Sequence, residues 1–260
     1  MRNVFAICGD SGSGKTTMAT VLASYIEDST VIECDRYHKW ERGDSHWNIF
    51  THLNPEANYI SLMNKDIQNL RKGKEVSRRD YDHTTGKFTE DRKILCDKNI
   101  IVCGLHTFYC SKDIFYLKIF METDDELKTQ WKIARDISKR GYSLEKVKDQ
   151  ISRRNRDYLE YLQPQSNHAD LIVNFCNEGN TSQVDSIKGI GRKLNLFIKE
   201  PYAPETILEK FSTMGVLVNI NESTKKGYMQ LGITNYKKID KNYYYDYIMV
   251  CILDMIKTTL

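Results

Sequence analysis

The chain has 260 residues, of which 40% are hydrophobic and 28% are charged, and its formal net charge at pH 7 is +3. This composition is typical of a folded globular protein and excludes a largely disordered chain. The small net charge argues against a broad nucleic-acid surface, and no apolar run is long enough to cross a membrane.

Short apolar runs alternate with longer amphipathic stretches along residues 1–177. The strands predicted from this pattern are, in chain order, NVFAICG, STVIECD, NIIVCG, YLKIFMET and HADLIVNF. The predicted helices are KTTMATVLASYIED, ANYISLMNKDIQNLRKG, DDELKTQWKIARDISKRG and SLEKVKDQISRRNRDYLEYL, the last with Ser143 as its N-cap. Such alternation predicts an α/β fold with a mainly parallel sheet and helices on both faces. Ligands should then bind at the carboxyl ends of the strands.

The character of the sequence changes from about residue 178. NEGNTSQVDS is polar and typical of a loop, KLNLFIKE and GVLVNI are predicted strands, and NYYYDYIMVCILDMIK is a predicted final helix. We interpret residues 1–177 as the core and residues 178–260 as a short strand and helix extension that completes the same domain.

The segment between the first strand and the first helix fits the pattern G-x-x-x-x-G-K-[ST]. Its residues, with the threonine that follows, are Gly9, Asp10, Ser11, Gly12, Ser13, Gly14, Lys15, Thr16 and Thr17. The glycines let successive backbone N–H groups point at phosphate oxygens, and the helix N-terminus adds its positive dipole end. Lys15 should bridge the outer phosphates of ATP, and the Thr16 hydroxyl should reach Mg²⁺.

The phosphate loop alone does not separate kinases from GTPases or ATPase motors. A GTPase would need a guanine-reading motif near residue 120, where this chain has FMETDDEL. A motor would need a strand that ends in consecutive acids, and NIIVCGLH has none. A kinase is therefore the favoured class.

The second predicted strand leads into CDRYHKWER, which places Asp35, His38 and Arg42 at the ligand edge of the sheet. Asp35 could accept a proton from a substrate hydroxyl, and Arg42 could form a bidentate contact with a phosphate or carboxylate. Alternatively, Asp35 caps a helix and the other two residues are solvated surface. The residues by themselves leave both interpretations open.

Six segments resemble, in order, the motifs of the phosphoribulokinase/uridine kinase family. They are CDRYHKWER, LNPEANYISLMNKDIQNLRKGKEV, RDYDHTTGKF, GLHTFY, WKIARDISKRGYSLEKV and PQSNHADLIV. The resemblance covers residue 4 to about 175 and is closer to phosphoribulokinases in the NPEAN segment. It implies a P-loop kinase-type fold, with residues 1–177 as the P-loop kinase core.

The resemblance also implies roles for individual residues. Asp35 would be the catalytic base. The phosphate loop already assigns Lys15 to the phosphates and Thr16 to the metal, and we assign Asp35 to the metal as well. Arg135 and Arg140 would lie in a lid and steady the developing charge, with Asp136 orienting an arginine or a metal-bound water. The residues implied for binding the sugar phosphate are His38, Arg42, Tyr81, His83, His106 and Lys132.

One position departs from the resembled family, whose loop E-G-L-H carries a glutamate that helps to hold Mg²⁺ or the attacking hydroxyl. This chain has Cys103 there, and a neutral thiol is a poor ligand for an ion that prefers oxygen. Activity could persist with Thr16, phosphates, water and either Asp35 or Glu33 holding the metal. The acceptor could instead differ, or the chain could bind nucleotide with little turnover.

The function implied is an ATP-dependent kinase with Mg²⁺ that phosphorylates a hydroxyl of a sugar phosphate, with ribulose 5-phosphate, giving ribulose 1,5-bisphosphate, as the expected acceptor. The alternatives are a uridine-kinase-like nucleoside kinase and a nucleotide-binding protein with little or no catalysis. The seven cysteines are scattered and form no C-x-x-C pair, and the N-terminus lacks a signal-peptide layout. We expect a cytoplasmic protein that binds small molecules rather than nucleic acid or membrane and that can form a homo-oligomer.

Overall fold

The computed structural model describes residues 1–177, 192–202, 204–234 and 243–259. Its strands are β1 Asn3–Gly9, β2 Ser29–Glu33, β3 Val76–Arg78, β4 Tyr81–Asp82, β5 Lys87–Phe88, β6 Arg92–Ile94, β7 Asn99–Gly104, β8 Leu117–Thr123, β9 Leu171–Asn177, β10 Arg192–Lys199, β11 Val218–Asn221 and β12 Tyr228–Thr234. Its α-helices are α1 Lys15–Tyr25, α2 Ile60–Arg71, α3 Asp125–Arg140, α4 Leu144–Asp157, α5 Glu205–Thr213 and α6 Tyr243–Thr259.

Among the described residues, eight strands form one sheet in the order β11-β12-β10-β9-β8-β1-β7-β2. The five strands from β9 to β2 pair in parallel, whereas β10, β12 and β11 add antiparallel strands at the other edge. The α/β fold with a mainly parallel sheet is therefore confirmed. The short pairs β3–β6 and β4–β5 lie outside this sheet.

Alternate residues of the central strands pack on opposite faces of the sheet. On one face Phe5 and Ile7 of β1 pack with Met18 and Leu22 of α1, in a cluster that also includes α5 and α6. On the other face Val4 packs in a cluster with α2. Because strand side chains alternate with a period of two, a strand buried on both faces is apolar throughout, as β1 is from Val4 to Cys8. Helices thus cover both faces, as predicted.

Three described strands after residue 177 belong to the same sheet. The predicted strand KLNLFIKE is β10, GVLVNI ends in β11, and the last predicted helix is α6. The loop predicted in NEGNTSQVDS lies outside the described residues except at its first position, so the division at residue 177 stays a prediction. Within the described ranges, none of the helices combines the length and the apolar character that crossing a bilayer requires.

Several predicted boundaries move by a few residues. The predicted strand STVIECD stops at Glu33, and residues 34–37 form a 3₁₀ turn instead. The fourth predicted helix is α-helical as far as Asp157 and continues as a π-helical turn over residues 158–162. Ser143 caps this helix as predicted, because its hydroxyl accepts a hydrogen bond from the Lys146 N–H.

Candidate active site

The phosphate loop connects β1 to α1 at the carboxyl edge of the sheet. Gly12 and Gly14 have φ angles of 89° and 91°, which favour glycine. At Gly9 a Cβ atom would lie 2.4 Å from the carbonyl oxygen of Met121, so only glycine fits against β8. Lys15 Nζ donates to the carbonyl of Asp10 at 2.6 Å. The loop therefore has the curled backbone and the helix N-terminus that bind phosphate.

A cavity of about 400 Å³ opens next to this loop, at the carboxyl ends of β1, β2 and β7. Ser11, Lys15 and Thr16 of the loop line it. Its wall holds twice as many lysine and arginine side chains as aspartate and glutamate side chains. The basic residues are Lys15, Arg42, Lys132, Arg135, Arg140, Lys146, Arg153 and Arg154, and the acidic ones are Glu33, Asp35, Asp44 and Asp149. This excess of positive charge suits ligands that carry several negative charges.

Asp35 lies in the 3₁₀ turn after β2 and lines the cavity. His83 Nε2 is 3.1 Å from one carboxylate oxygen, and His38 Nε2 is 3.5 Å from the other. His38 is itself fixed by a 2.7 Å hydrogen bond between its Nδ1 and Asn58 Oδ1. Burial alone would raise the pKa of Asp35, but the His83 hydrogen bond and the charges of His38 and Lys15 outweigh it and lower the pKa. Asp35 is therefore ionised and can accept a hydrogen bond from a hydroxyl.

Arg42 and Tyr81 also line the cavity, next to His38 and His83. The Arg42 guanidinium donates to the carbonyls of His83 at 2.5 Å and Thr84 at 3.2 Å. The structure thus brings four of the six residues predicted to bind the sugar phosphate around Asp35, and Lys132 lines the same cavity.

His106, the sixth of these residues, does not line the cavity, and its part in binding the sugar phosphate stays a prediction. His106 is 3% exposed, and its Nε2 lies 3.2 Å from the carbonyl oxygen of His52. Burial lowers the pKa of His106 to about 4, so the ring is neutral. His52 faces the cavity instead and stacks on Trp47 with the ring centres 3.8 Å apart. Nothing in the sequence indicated His52.

Asp136 of α3 forms ion pairs with three basic side chains that line the cavity. It is fully buried and pairs with Lys132 at 2.5 Å, Arg135 at 2.8 Å and Arg140 at 3.2 Å. Burial would raise the pKa of Asp136, but hydrogen bonds from Arg135 and Lys132 lower it. Burial and the nearby charge of Arg154 lower the pKa of Lys132 to about 8. The predicted basic residues therefore form one cluster around a single carboxylate.

Side chains of α3 and α4 also contact the phosphate loop. Arg135 Nη2 donates to Ser11 Oγ at 2.9 Å. Asp10 accepts from Arg154 of α4 at 2.9 Å and lies 3.5 Å from Lys128 Nζ of α3. The prediction placed Asp10 in the loop but did not assign Lys128 or Arg154 to the site, because their spacing along the chain gives no sign of this contact.

Cys103 is the penultimate residue of β7 and lines the cavity with 5% of its surface exposed. Burial raises the pKa of its thiol to about 12. Cys103 is therefore a neutral thiol at physiological pH, and this argues against a reactive thiolate.

The oxygen donors of the cavity fit a nucleotide-bound Mg²⁺. Thr16 supplies a hydroxyl, and Glu33 and Asp35 supply carboxylates. In the described part of the chain there is no group of three or more His, Cys, Asp or Glu that could cage a metal. Mg²⁺ in phosphate-handling sites needs no such cage, because it keeps several waters and binds one or two carboxylates with the phosphates.

Comparison with known proteins identifies the relatives of this fold and site. The model of the "Phosphoribulokinase / Uridine kinase family" matches residues 4–182, more than half of the chain. The chain belongs to this family. The chloroplastic phosphoribulokinase of Chlamydomonas reinhardtii is 31% identical over 218 residues, which cover 76% of this chain and 57% of the relative.

Other relatives within the family show the same pattern. The phosphoribulokinase of Synechocystis is 31% identical over 65% of this chain and 52% of its own length. A uridine kinase of Borrelia duttonii is 31% identical over 66% of this chain and 86% of its own. The chain thus spans about half the length of the Chlamydomonas and Synechocystis phosphoribulokinases. A solved phosphoribulokinase from Rhodobacter spheroides shares the fold, with a TM-score of 0.73, 20% identity and coverage of 99% and 98% of the two chains.

Proposed function

We propose that this member of the family is an ATP-dependent kinase that transfers the γ-phosphoryl group to a hydroxyl of a sugar phosphate. The acceptor we propose is ribulose 5-phosphate, which would give ribulose 1,5-bisphosphate. The observation that carries the proposal is the position of Asp35. This carboxylate, held ionised by two histidines, lines the same cavity as the phosphate loop and the basic cluster around Asp136.

The nucleotide side of the reaction rests on the loop. The backbone N–H groups of residues 9–17 and Lys15 would hold the phosphates, which requires Lys15 to leave the carbonyl of Asp10. Thr16 and the cavity carboxylates would hold Mg²⁺, which neutralises charge on the β- and γ-phosphates when bound. Arg135 lies against Ser11 and would steady charge on the transferring group.

The acceptor side rests on Asp35 and the side chains around it. Asp35 would accept the proton of the attacking hydroxyl while the oxygen of that hydroxyl bonds to the γ-phosphorus. At the same time the bond between the γ-phosphorus and the β,γ-bridging oxygen would break, releasing ADP. His38, Tyr81 and His83 would hold the sugar, and Arg42 its phosphate. Lys132 and Arg140 would add charge between donor and acceptor. Catalysis in this arrangement is positioning and charge neutralisation.

The test is a panel of acceptors with ATP and Mg²⁺, read by mass spectrometry. We expect a pentose phosphate to gain one phosphoryl group and uridine to remain unchanged. Arg42→Ala should raise KM for the phosphorylated acceptor at least tenfold, because a charged contact is lost. Arg156→Ala, which removes an exposed arginine of α4, is the matched control and should leave KM unchanged. Turnover of uridine without turnover of any pentose phosphate would reject this acceptor.

Two other functions have specific support. A nucleoside kinase is supported by the uridine kinase of Borrelia duttonii, most of whose length this chain covers. Nucleotide binding with little catalysis is supported by Cys103, a neutral thiol where an acid was expected. ATP binding by calorimetry, without transfer to any sugar, sugar phosphate, polyol or nucleoside, would favour the latter. The homo-oligomer, the cytoplasmic location and the absence of nucleic-acid and membrane partners stay predictions.

A further inference from the structure

The thiol of Cys103 leaves the nucleotide site without an acid at the end of β7. In P-loop proteins, a loop Ser or Thr and an acid from a neighbouring strand hold the Mg²⁺ of the nucleotide. Here β7 is the strand that lies between β1 and β2. A protonated thiol does not replace a carboxylate for a hard cation. The structure therefore raises the question of which other side chain could supply the oxygen.

Glu33 lies directly beside Cys103 on the next strand. The two residues are register partners in the parallel pairing of β2 with β7, and both line the cavity. Register partners of adjacent strands are about 4.8 Å apart and point to the same face of the sheet. That face is the one toward α1, because Cys103 belongs to the same buried cluster as Met18, whereas Ile32 belongs to the cluster on the opposite face. Glu33 thus extends from β2, which is one strand further from β1 than β7 is, into the space beside the Cys103 thiol.

The two carboxylates at this edge have different surroundings. Asp35 is in contact with His38 and His83. Across the described residues, no ion pair or hydrogen bond engages the carboxylate of Glu33, although its backbone carbonyl accepts from Arg36 Nε at 2.9 Å. Asp35 is therefore oriented for the acceptor hydroxyl, while the carboxylate of Glu33 is the one that the protein leaves available to the cavity.

We infer that Glu33 supplies the acidic side chain that holds the nucleotide-bound Mg²⁺, in place of an acid at the end of β7. This inference rests on the proposed function, because that function requires a bound metal–nucleotide complex. Glu33 would be a positioning residue on β2, whereas the phosphate-loop pattern leads us to expect the metal-binding acid on β7. With the carboxylate on β2 instead of β7, the metal site would be kept although the expected position on β7 carries a thiol.

The test measures metal affinity without any turnover. The full chain is saturated with β,γ-imido ATP, and Mn²⁺ is titrated in place of Mg²⁺, with free Mn²⁺ read by electron paramagnetic resonance. Glu33→Gln should weaken Mn²⁺ binding about 10–100-fold, the range for loss of a side chain that supports a bound metal. Asp149→Asn removes the same charge from an exposed position on α4 at the rim of the cavity and should change the affinity less than threefold.

A second variant guards against a fold defect. Glu33→Cys should lose Mn²⁺ affinity, and adding Cys103→Glu should regain at least tenfold, because the exchange restores one carboxylate on the neighbouring strand. The inference is overturned if Glu33→Gln binds Mn²⁺ within twofold of wild type, if Asp149→Asn weakens binding equally, or if the exchange regains nothing. The Mn²⁺ titration contains no acceptor. If none of the acceptors in the panel is phosphorylated, the proposed function is refuted, but the Mn²⁺ result still stands.

Discussion

Replacement of the buried Asp136 by asparagine should destabilise the protein by about 3 kcal/mol. The side chain keeps its shape but loses its charge, and three cations lose their partner. Removing one member of a buried ion pair costs about 3–5 kcal/mol. Lys132 has 6% of its side chain exposed and bears the full effect, whereas Arg135 and Arg140 are 29% and 21% exposed and can turn to water. We therefore expect the lower end of that range.

Urea unfolding followed by far-ultraviolet circular dichroism measures this loss, with an unchanged m-value as the sign of an unchanged denatured state. Asp125→Asn is the matched control, because Asp125 pairs with Lys128 on the same helix with 89% of its side chain exposed. It should cost less than about 1 kcal/mol. A loss below about 1 kcal/mol for Asp136→Asn would show that the cations do not depend on this carboxylate.

The pH dependence provides an independent check of the same reasoning. The pKa of Asp136 is lower in the folded chain than its ordinary value. A carboxyl group of this kind contributes stability above its unfolded pKa of about 3.9, and the contribution disappears as the pH falls toward the folded value. The difference between wild type and Asp136→Asn should thus be equal at pH 7 and 5.5 and shrink below about pH 4. A difference that stays constant down to pH 3 would contradict this account.

Three further predictions concern the cavity. Asp35→Asn should lower kcat about 10²–10⁴-fold, while calorimetry without Mg²⁺ should show ATP affinity within a few-fold of wild type, because the phosphate loop holds the phosphates. Lys132 has a pKa of about 8, so it is charged below that pH, and KM for a phosphorylated acceptor should rise above it. Steady-state kinetics should show that Lys132→Arg moves this rise to higher pH, and an unchanged profile would remove Lys132 from the acceptor site. Cys103, whose thiol has a pKa of about 12, should resist iodoacetamide at pH 8 in the native chain and react in urea, as read by peptide mass spectrometry.

Most of the sheet could be predicted from the sequence because its central strands are buried on both faces. β1 and β7 contain continuous apolar runs, and β8 contains the shorter run IFM between Lys118 and Glu122. Such runs between amphipathic helices have few other structural solutions. β12 was missed because YMQLGIT mixes polar and apolar residues without clear alternation. The short pair Val76–Arg78 and Arg92–Ile94 was missed because three-residue strands carry too little pattern to be distinguished from loops.

The site could be predicted where local chemistry decides it. The glycines of the loop act within a few residues of one another, and the spacing of Lys132, Asp136 and Arg140 by four residues places them on one helical face. The contacts of His52 and Arg154 could not be predicted, because they depend on how distant segments pack. Likewise, the position of Glu33 beside Cys103 depends on the register of two strands separated by 70 residues in the sequence.

The three carboxylates at this edge differ in chemistry because their neighbours differ. Asp136 is enclosed by three cations and serves to hold them in place. Asp35 is flanked by two imidazoles and is partly open to the cavity. Burial, followed by the charge of Asp35, raises the pKa of Glu33, so a cation between these two carboxylates would relieve their repulsion. An Mg²⁺–nucleotide complex would supply such a cation, so the repulsion between Glu33 and Asp35 would favour its binding.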